Sequence, residues 1–428
     1  MKKPSRVIVL LVDGVSSLTL EQLLDNGVLP NMAALRKRGS YHGNVVASFP
    51  TVSGPAHVPL LMGVMPSTID LIGHNQFLRT EGRLENYLLH YRLFDRKLKG
   101  RRSLYSEYDN SVSVGEPVRV GAHAYRKNIF SLADWAKVRG PANGYVMRTI
   151  EHEYRAGRDC IVGWLHETDG LAHRSSRQRN VRDSLASLDR WLGRFVPGLD
   201  EGTTLIVTSD HGMEWTTQKP LLVPKIMKAA GYQKDQYVYY TDGGAFCQIY
   251  LKKDGSYAQR QSEQDLELLP SALVQYPEID LILYRRQTND GDIGVILSSR
   301  GRATVKKIHN TYYYRVEQGR DPLGYLTGPS SGMFSTELHQ DQCLLATADS
   351  DYPDGHYQVF ELLMAPSSGD LIFTGARGVS FNILTSHAVH GGLHRSQSVT
   401  FILSNKQLTT DESCLRTRDL PRLLGVLD

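Results

Sequence analysis

The stretch "RVIVLLVDG", residues 6–14, decides how the fold is read. Six apolar residues in a row, Val7 to Val12, form a run of strand length with no polar face, and the run closes on Asp13 and Gly14. A strand apolar on both faces is covered on both faces, which is the texture of a parallel sheet between two helix layers. The same design returns in "CIVGWLHETDG" (160–170) and "TTLIVTSDHG" (203–212). Between them, "RNVRDSLASLDRWLGRFV" (179–196) carries apolar residues at a spacing near 3.6 and is expected to be a helix over the sheet. After the first strand, "LTLEQLLDNGVLPNMAALRKRG" (18–39) reads as two short helices stopped by Gly39. Strand, helix, strand with polar residues at each strand's C-terminal end predicts a doubly wound, mostly parallel α/β sheet flanked by helices, with ligands at those ends.

From about Tyr239 the texture changes. "GGAFCQIYLKKDGSYAQR", "LILYRRQTNDGDIGVILSSRG" and "ATVKKIHNTYYYRV" look like short strands joined by Gly and Asp turns. They suggest a smaller α+β insertion over 240–330 in a core formed by 1–239 and 331–428. "DLIFTGARG" (370–378) and "QSVTFILSN" (397–405) return to buried-strand texture, and "LPRLLGVLD" (420–428) fits a closing helix. The three consecutive tyrosines Tyr312, Tyr313 and Tyr314 are either a pocket lining or ordinary strand aromatics, and strand aromatics are the commoner case.

The chain has 428 residues, 41% hydrophobic and 22% charged, with a formal charge of +4. That balance is ordinary for a globular protein and too weak for a duplex nucleic-acid binder. Near the N-terminus, basic residues precede the run Val7 to Val12, but Asp13 ends it short of a signal-peptide core. No stretch approaches the roughly 20 apolar residues of a membrane-spanning helix. The four cysteines, Cys160, Cys247, Cys343 and Cys414, form no CxxC pair. They argue against a thiolate metal site and for a reducing, cytoplasmic setting.

The strand ends carry the chemistry. Asp13 follows the first run; alone it would pass for a helix cap or turn residue. Asp169 and His173 lie four apart, on one face of a helical turn. Asp210 and His211 follow a buried strand, where two ionisable groups need compensation; a salt bridge would also supply it. "SHAVHGGLHRS" brings His387, His390 and His394 within one loop. Together these are oxygen and imidazole ligands without thiolate, a set that suits Zn²⁺, with Mn²⁺ or Fe as alternatives. Two such ions about 4 Å apart clamp an in-line displacement at phosphorus. In "FPTVSGPAH" (49–57), either Thr51 or Ser53 could supply an attacking hydroxyl.

Taken in order, "VLLVDG", "FPTVSGPAH", "LHETDGLAH", "TSDHGM" and "VHGGLHRS" resemble the alkaline phosphatase superfamily, most of all its nucleotide pyrophosphatase/phosphodiesterase branch. That branch has a Pro-Thr-x-Thr-x-Pro-x-His nucleophile segment whose second hydroxyl attacks. Pro50, Thr51, Pro55 and His57 fall into register with it, so the resemblance makes Ser53 the nucleophile, where the branch usually has Thr. Thr51 then becomes a turn residue and His57 a packed helix residue. The resemblance further implies that Asp13, Ser53, Asp210 and His211 hold one divalent metal and that Asp169, His173 and His390 hold the other. His394 competes with His390, and His387 is a supporting loop residue. The branch places an asparagine on a phosphoryl oxygen about twenty residues after the nucleophile; here His74 stands at that position, followed by Asn75.

The expected activity is hydrolysis of a small-molecule phosphodiester or pyrophosphate through phosphoserine. A phosphomonoesterase or a phosphotransferase of the same superfamily is the near alternative. A sulfatase would carry an Arg that "SGPAH" lacks. A catalytically inactive binding module would show a lost ligand, yet every ligand position is filled by a competent residue. Oligomeric state leaves no mark in the sequence.

Overall fold

The computed structural model describes residues 3–128, 142–266, 268–325, 335–382 and 386–427. An eight-stranded sheet runs in the order Leu415–Arg416, Ser40–Val46, Val399–Ser404, Thr203–Thr208, Arg6–Val12, Cys160–Leu165, Ser111–Val114, Ala124–Arg126. Its pairings are parallel except around Val399–Ser404, which runs against both of its neighbours. The expected doubly wound core is therefore present as a mixed sheet.

Arg6–Val12 lies at its centre, and the absence of a polar face is explained directly. Val7, Val9 and Leu11 pack into one core and Ile8, Leu10 and Val12 into another, all six essentially without solvent exposure. Burying each such side chain contributes roughly 1.5–3 kcal/mol. The first core is closed by the helices His57–Met62 and Leu420–Leu423, the second by Pro30–Arg38, Ala142–Arg155 and Gln178–Phe195. Helix Ala142–Arg155 presses so closely on the strand Cys160–Leu165 that a Cβ at Gly163 would lie 2.5 Å from Ile150.

A second eight-stranded sheet is antiparallel throughout, in the order Tyr237–Asp242, Phe246–Leu251, Leu371–Gly375, Ile279–Thr288, Gly291–Ser298, Gly301–Ile308, Thr311–Gly319, Ser335–His339. It draws on residues beyond the 240–330 span. Leu371–Gly375, whose texture suggested the first sheet, is an inner strand of the second. The reason is that this sheet too is covered on both faces. Ile372 packs under the helix Gly355–Met364, while Leu371 and Phe373 pack toward the helices Val223–Ala229 and Leu268–Leu273. The tyrosine run is sheet core: Tyr312 and Tyr314 are fully buried, with hydroxyls donating to Glu361 and Asp321. Among the described residues no helix is long and apolar enough to cross a membrane.

Candidate active site

The C-terminal ends of the parallel strands bring the candidate residues together. Asp13 follows Arg6–Val12 directly, and Asp210 and His211 follow Thr203–Thr208. Asp169 lies in the first turn of helix Glu167–Arg174 and His173 one turn later, with Nε2 3.2 Å from Asp169 Oδ1. His390 follows the short strand Ala388–Val389. Ser53 sits in the turn leading to helix His57–Met62.

The two hydroxyls have different surroundings. Ser53 Oγ lies 3.2 and 3.3 Å from the two Asp13 oxygens and 3.2 Å from His211 Nε2. Thr51 Oγ1 donates to the Gly392 carbonyl and accepts from the Gly391 amide, both at 2.9 Å. Thr51 is a loop tie, and Ser53 is the hydroxyl among the charged groups.

Two clusters result. In one, Asp13, Ser53, Asp210 and His211 converge: His211 Nε2 is 3.3 Å from Asp210 Oδ2 and 3.5 Å from Asp13 Oδ1. In the other, His390 Nε2 is 3.1 Å from His173 Nε2 and 3.5 Å from Asp169 Oδ1. His394 stays outside both; it caps the short helix Arg395–Ser398 through the Ser396 amide. His387 contributes a backbone N–H to the His173 carbonyl.

The donor chemistry fits divalent cations. His173 Nδ1 faces the Ala388 carbonyl at 2.8 Å, His390 Nδ1 the Thr51 carbonyl at 2.7 Å, and His211 Nδ1 the Gly212 carbonyl at 2.9 Å. A carbonyl only accepts, so each Nδ1 carries the hydrogen and each Nε2 turns a lone pair inward. Asp169 Oδ1, in the midst of these, has no hydrogen-bond partner among the described residues. Converging acceptors of this kind can hold a cation between them, and imidazole with carboxylate suits Zn²⁺ or Mn²⁺.

The electrostatics agree. Burial, reinforced by Asp210 and Asp169, pushes the Asp13 carboxyl well above its ordinary range. Burial also opposes ionisation of Asp169 and Asp210, but their histidine neighbours, His173 and His211 foremost, hold both carboxyls below the usual range. Burial and the adjacent His211 push His390 well down. Burial works against His173 as well, yet the Asp169 carboxylate beside it raises it.

The two expected phosphoryl contacts are otherwise engaged. His74 Nε2 donates to the Ser53 carbonyl at 2.6 Å. Asn75 Nδ2 donates to Asp242 Oδ1 at 2.7 Å, and its Oδ1 accepts from Asn86 at 2.8 Å. His74 thus supports the nucleophile loop, and Asn75 ties its own strand to Asp242. For the amide N–H groups of Ser53 and Gly54, by contrast, no backbone acceptor is found among the described residues.

Three contributors escape the motif reading. Trp164 donates from Nε1 to Asp13 Oδ2 at 2.7 Å. His57 Nε2 lies 3.0 Å from Asp210 Oδ2, and His57 Nδ1 lies 2.9 Å from Glu116 Oε1. The available signals were the position of His57 one helical turn after Ser53 and of Glu116 just past another strand end.

With this geometry in hand, the comparison with known proteins is direct. The type I phosphodiesterase / nucleotide pyrophosphatase family matches residues 7–295, more than half of the chain. The chain belongs to that family. Membership places it among enzymes that cleave or transfer phosphoric esters, a typically metal-dependent group. The fold is shared with phosphonoacetate hydrolase from Sinorhizobium meliloti 1021, at TM-score 0.63 and 13% identity, covering 99% of this chain and 96% of that one. It is also shared with human ectonucleotide pyrophosphatase/phosphodiesterase 5, at TM-score 0.60 and 14% identity, covering 98% and 95%. In sequence the chain is similar to GPI ethanolamine phosphate transferase 3 of Schizosaccharomyces pombe, 29% identical over 188 residues. That similarity takes in 42% of this chain and 19% of the relative, so the chain spans about a fifth of that protein's length.

Proposed function

We propose that this member of the phosphodiesterase family is a two-metal hydrolase of small-molecule phosphoric esters, phosphodiester or pyrophosphate bonds favoured, acting through a phospho-Ser53 intermediate. The observation that carries the reading is the position of Ser53 Oγ, about 3.2 Å from both Asp13 Oδ1 and His211 Nε2. Asp13, Ser53, Asp210 and His211 would hold one ion, and Asp169, His173 and His390 the other. Zn²⁺ suits both sets and Mn²⁺ is the alternative. When bound, such ions lower the pKa of a neighbouring hydroxyl and offset charge on the phosphoryl oxygens.

The chain's own groups account for the remaining steps. The Ser53 and Gly54 amides orient a phosphoryl oxygen as Ser53 Oγ forms its bond to phosphorus and the leaving oxygen departs. Asp13 Oδ1 faces the hydroxyl that loses its proton. Water then displaces Ser53 from phosphorus and regenerates the hydroxyl.

A second reading, transfer of the phosphoryl-bearing group from Ser53 to an alcohol, is favoured by the similarity to an ethanolamine phosphate transferase. The four cysteines, all free and buried, support a reducing compartment such as the cytoplasm.

The test is hydrolysis of p-nitrophenyl phosphate and bis-p-nitrophenyl phosphate by zinc-loaded protein, with Ser53→Ala as control and ethanolamine as an added acceptor. The reading expects diester turnover that vanishes in Ser53→Ala. Equal turnover by the variant overturns it, and an ethanolamine ester of the group left on phosphorus, p-nitrophenyl phosphate from the diester or phosphate from the monoester, selects transfer over hydrolysis.

A further inference from the structure

The chemistry proposed above leaves a buried pair of ionisable groups beside the site without a task. Glu116 and His57 are both fully buried. Glu116 follows the strand Ser111–Val114, so it is another acid at the C-terminal edge of the first sheet. Its Oε1 accepts from the Val118 amide at 2.8 Å and faces His57 Nδ1 at 2.9 Å. The other nitrogen, His57 Nε2, faces Asp210 Oδ2 at 3.0 Å.

Packing alone does not account for this. A histidine in an apolar core needs no carboxylate, and burying a glutamate is costly even where it is paired and hydrogen-bonded. Here the imidazole meets a carboxylate oxygen at each nitrogen, so both nitrogens donate. Asp210 thereby receives three donors: the Gly14 and His211 amides reach Oδ1 at 3.3 and 3.0 Å, and His57 reaches Oδ2. A carboxylate held this way cannot turn about its last torsion. Its Oδ2 stays 3.3 Å from His211 Nε2, on the side where Ser53 lies. Trp164 performs the same service for Asp13, and its ring packs edge-on against His57, centroids 5.5 Å apart.

We propose that Glu116 and His57 form a positioning relay that fixes Asp210 as a metal ligand: Glu116 orients the imidazole, and the imidazole orients the carboxylate. This inference rests on the two-metal reading. Neither residue touches substrate. Hydrogen-bonded partners behind metal ligands are typically worth about 10–100-fold in metal affinity.

The experiment uses the full chain carrying Glu116→Gln, which keeps the shape and removes the charge. Zinc affinity is measured by competition with a chromophoric chelator, beside kcat, KM and the thermal midpoint of the metal-free protein. The relay expects one zinc equivalent to weaken about 10–100-fold while the other stays within about threefold. It also expects kcat to fall with KM nearly constant and the metal-free midpoint to hold. Wild-type affinity for both equivalents overturns it, as does equal weakening of both together with a lowered midpoint. If Glu116→Gln does not fold, imidazole nitrogen NMR of metal-free wild type decides, with His57→Gln assigning the signals. Two protonated ring nitrogens on His57 are expected, and a single one overturns the relay. A wild type that binds no zinc but shows both protonated nitrogens defeats the two-metal reading and its ligand assignment, while leaving the hydrogen-bonded chain in place.

Discussion

His211 and His390 stack face to face, with ring centroids 4.0 Å apart and planes 11° from parallel. One ring belongs to each proposed metal cluster, so the stack is a shared wall. Asp169, His211 and His390 also present ligand atoms within 4.8 Å of one another across it. Ligand atoms of the two groups therefore meet at contact distance.

Chelation should accordingly do more than stop turnover. Stripping the protein with a chelator is expected to abolish hydrolysis, restored by Zn²⁺ or Mn²⁺, and to lower the thermal midpoint by several degrees, since ligands that bind only the folded chain stabilise it. Calorimetry before and after chelation checks this. An unchanged midpoint would argue against resident metal.

Ser53→Ala and Thr51→Val should separate cleanly. Loss of the nucleophile is expected to lower kcat on the order of 10³-fold or more while zinc content holds. Thr51→Val leaves the Gly391 amide and Gly392 carbonyl without their shared partner, costing about 1–3 kcal/mol of stability. Steady-state kinetics with denaturant melts on both variants distinguishes a chemical role from a structural one.

Gly243 has φ +59°, and a Cβ there would fall 2.5 Å from the His390 carbonyl oxygen and 2.7 Å from His390 Nδ1. Gly243→Ala is expected to cost more than about 1 kcal/mol, because the left-handed backbone and the clash add. It should also displace a metal ligand, seen as weakened binding of one zinc equivalent.

Acid lability should trace in part to His356, on the helix Gly355–Met364. Burial, reinforced by Arg416, pulls this imidazole down to about 3. The unfolded chain takes up a proton below about 6.5 and the folded chain does not, so this residue removes stability as pH falls from about 6.5 toward 3. Between pH 6 and pH 5 the loss is roughly 1 kcal/mol, and His356→Phe should lack it. Urea unfolding of both proteins at the two pH values measures the difference.

The central strands were legible because burial on both faces leaves an unbroken apolar run, as in Val7 to Val12. That signal reports coverage and not partner, which is why Leu371–Gly375 read as part of the wrong sheet. Glu116 went unseen for a related reason. Its strand, Ser111–Val114, interleaves serines that are fully buried but satisfied locally: Ser111 Oγ pairs with His123, and Ser113 Oγ donates to the Glu116 carbonyl. No apolar run marked the strand, so the position of the acid just past its end was harder to read. Asn75 resembled a phosphoryl contact by its place in the chain, and only the surroundings, Asp242 and Asn86, show its amide already taken.

The tie between Thr51 and Gly392 joins residues 341 positions apart, and the strand Val399–Ser404 slots between two that precede it in sequence. Such long-range closures form late and slowly. During synthesis, then, most of the chain is made before the Ser53 turn can be locked or His390 delivered. The growing protein carries its nucleophile unarmed until residues 390–404 have been made, and truncation near residue 390 should yield a fragment without activity.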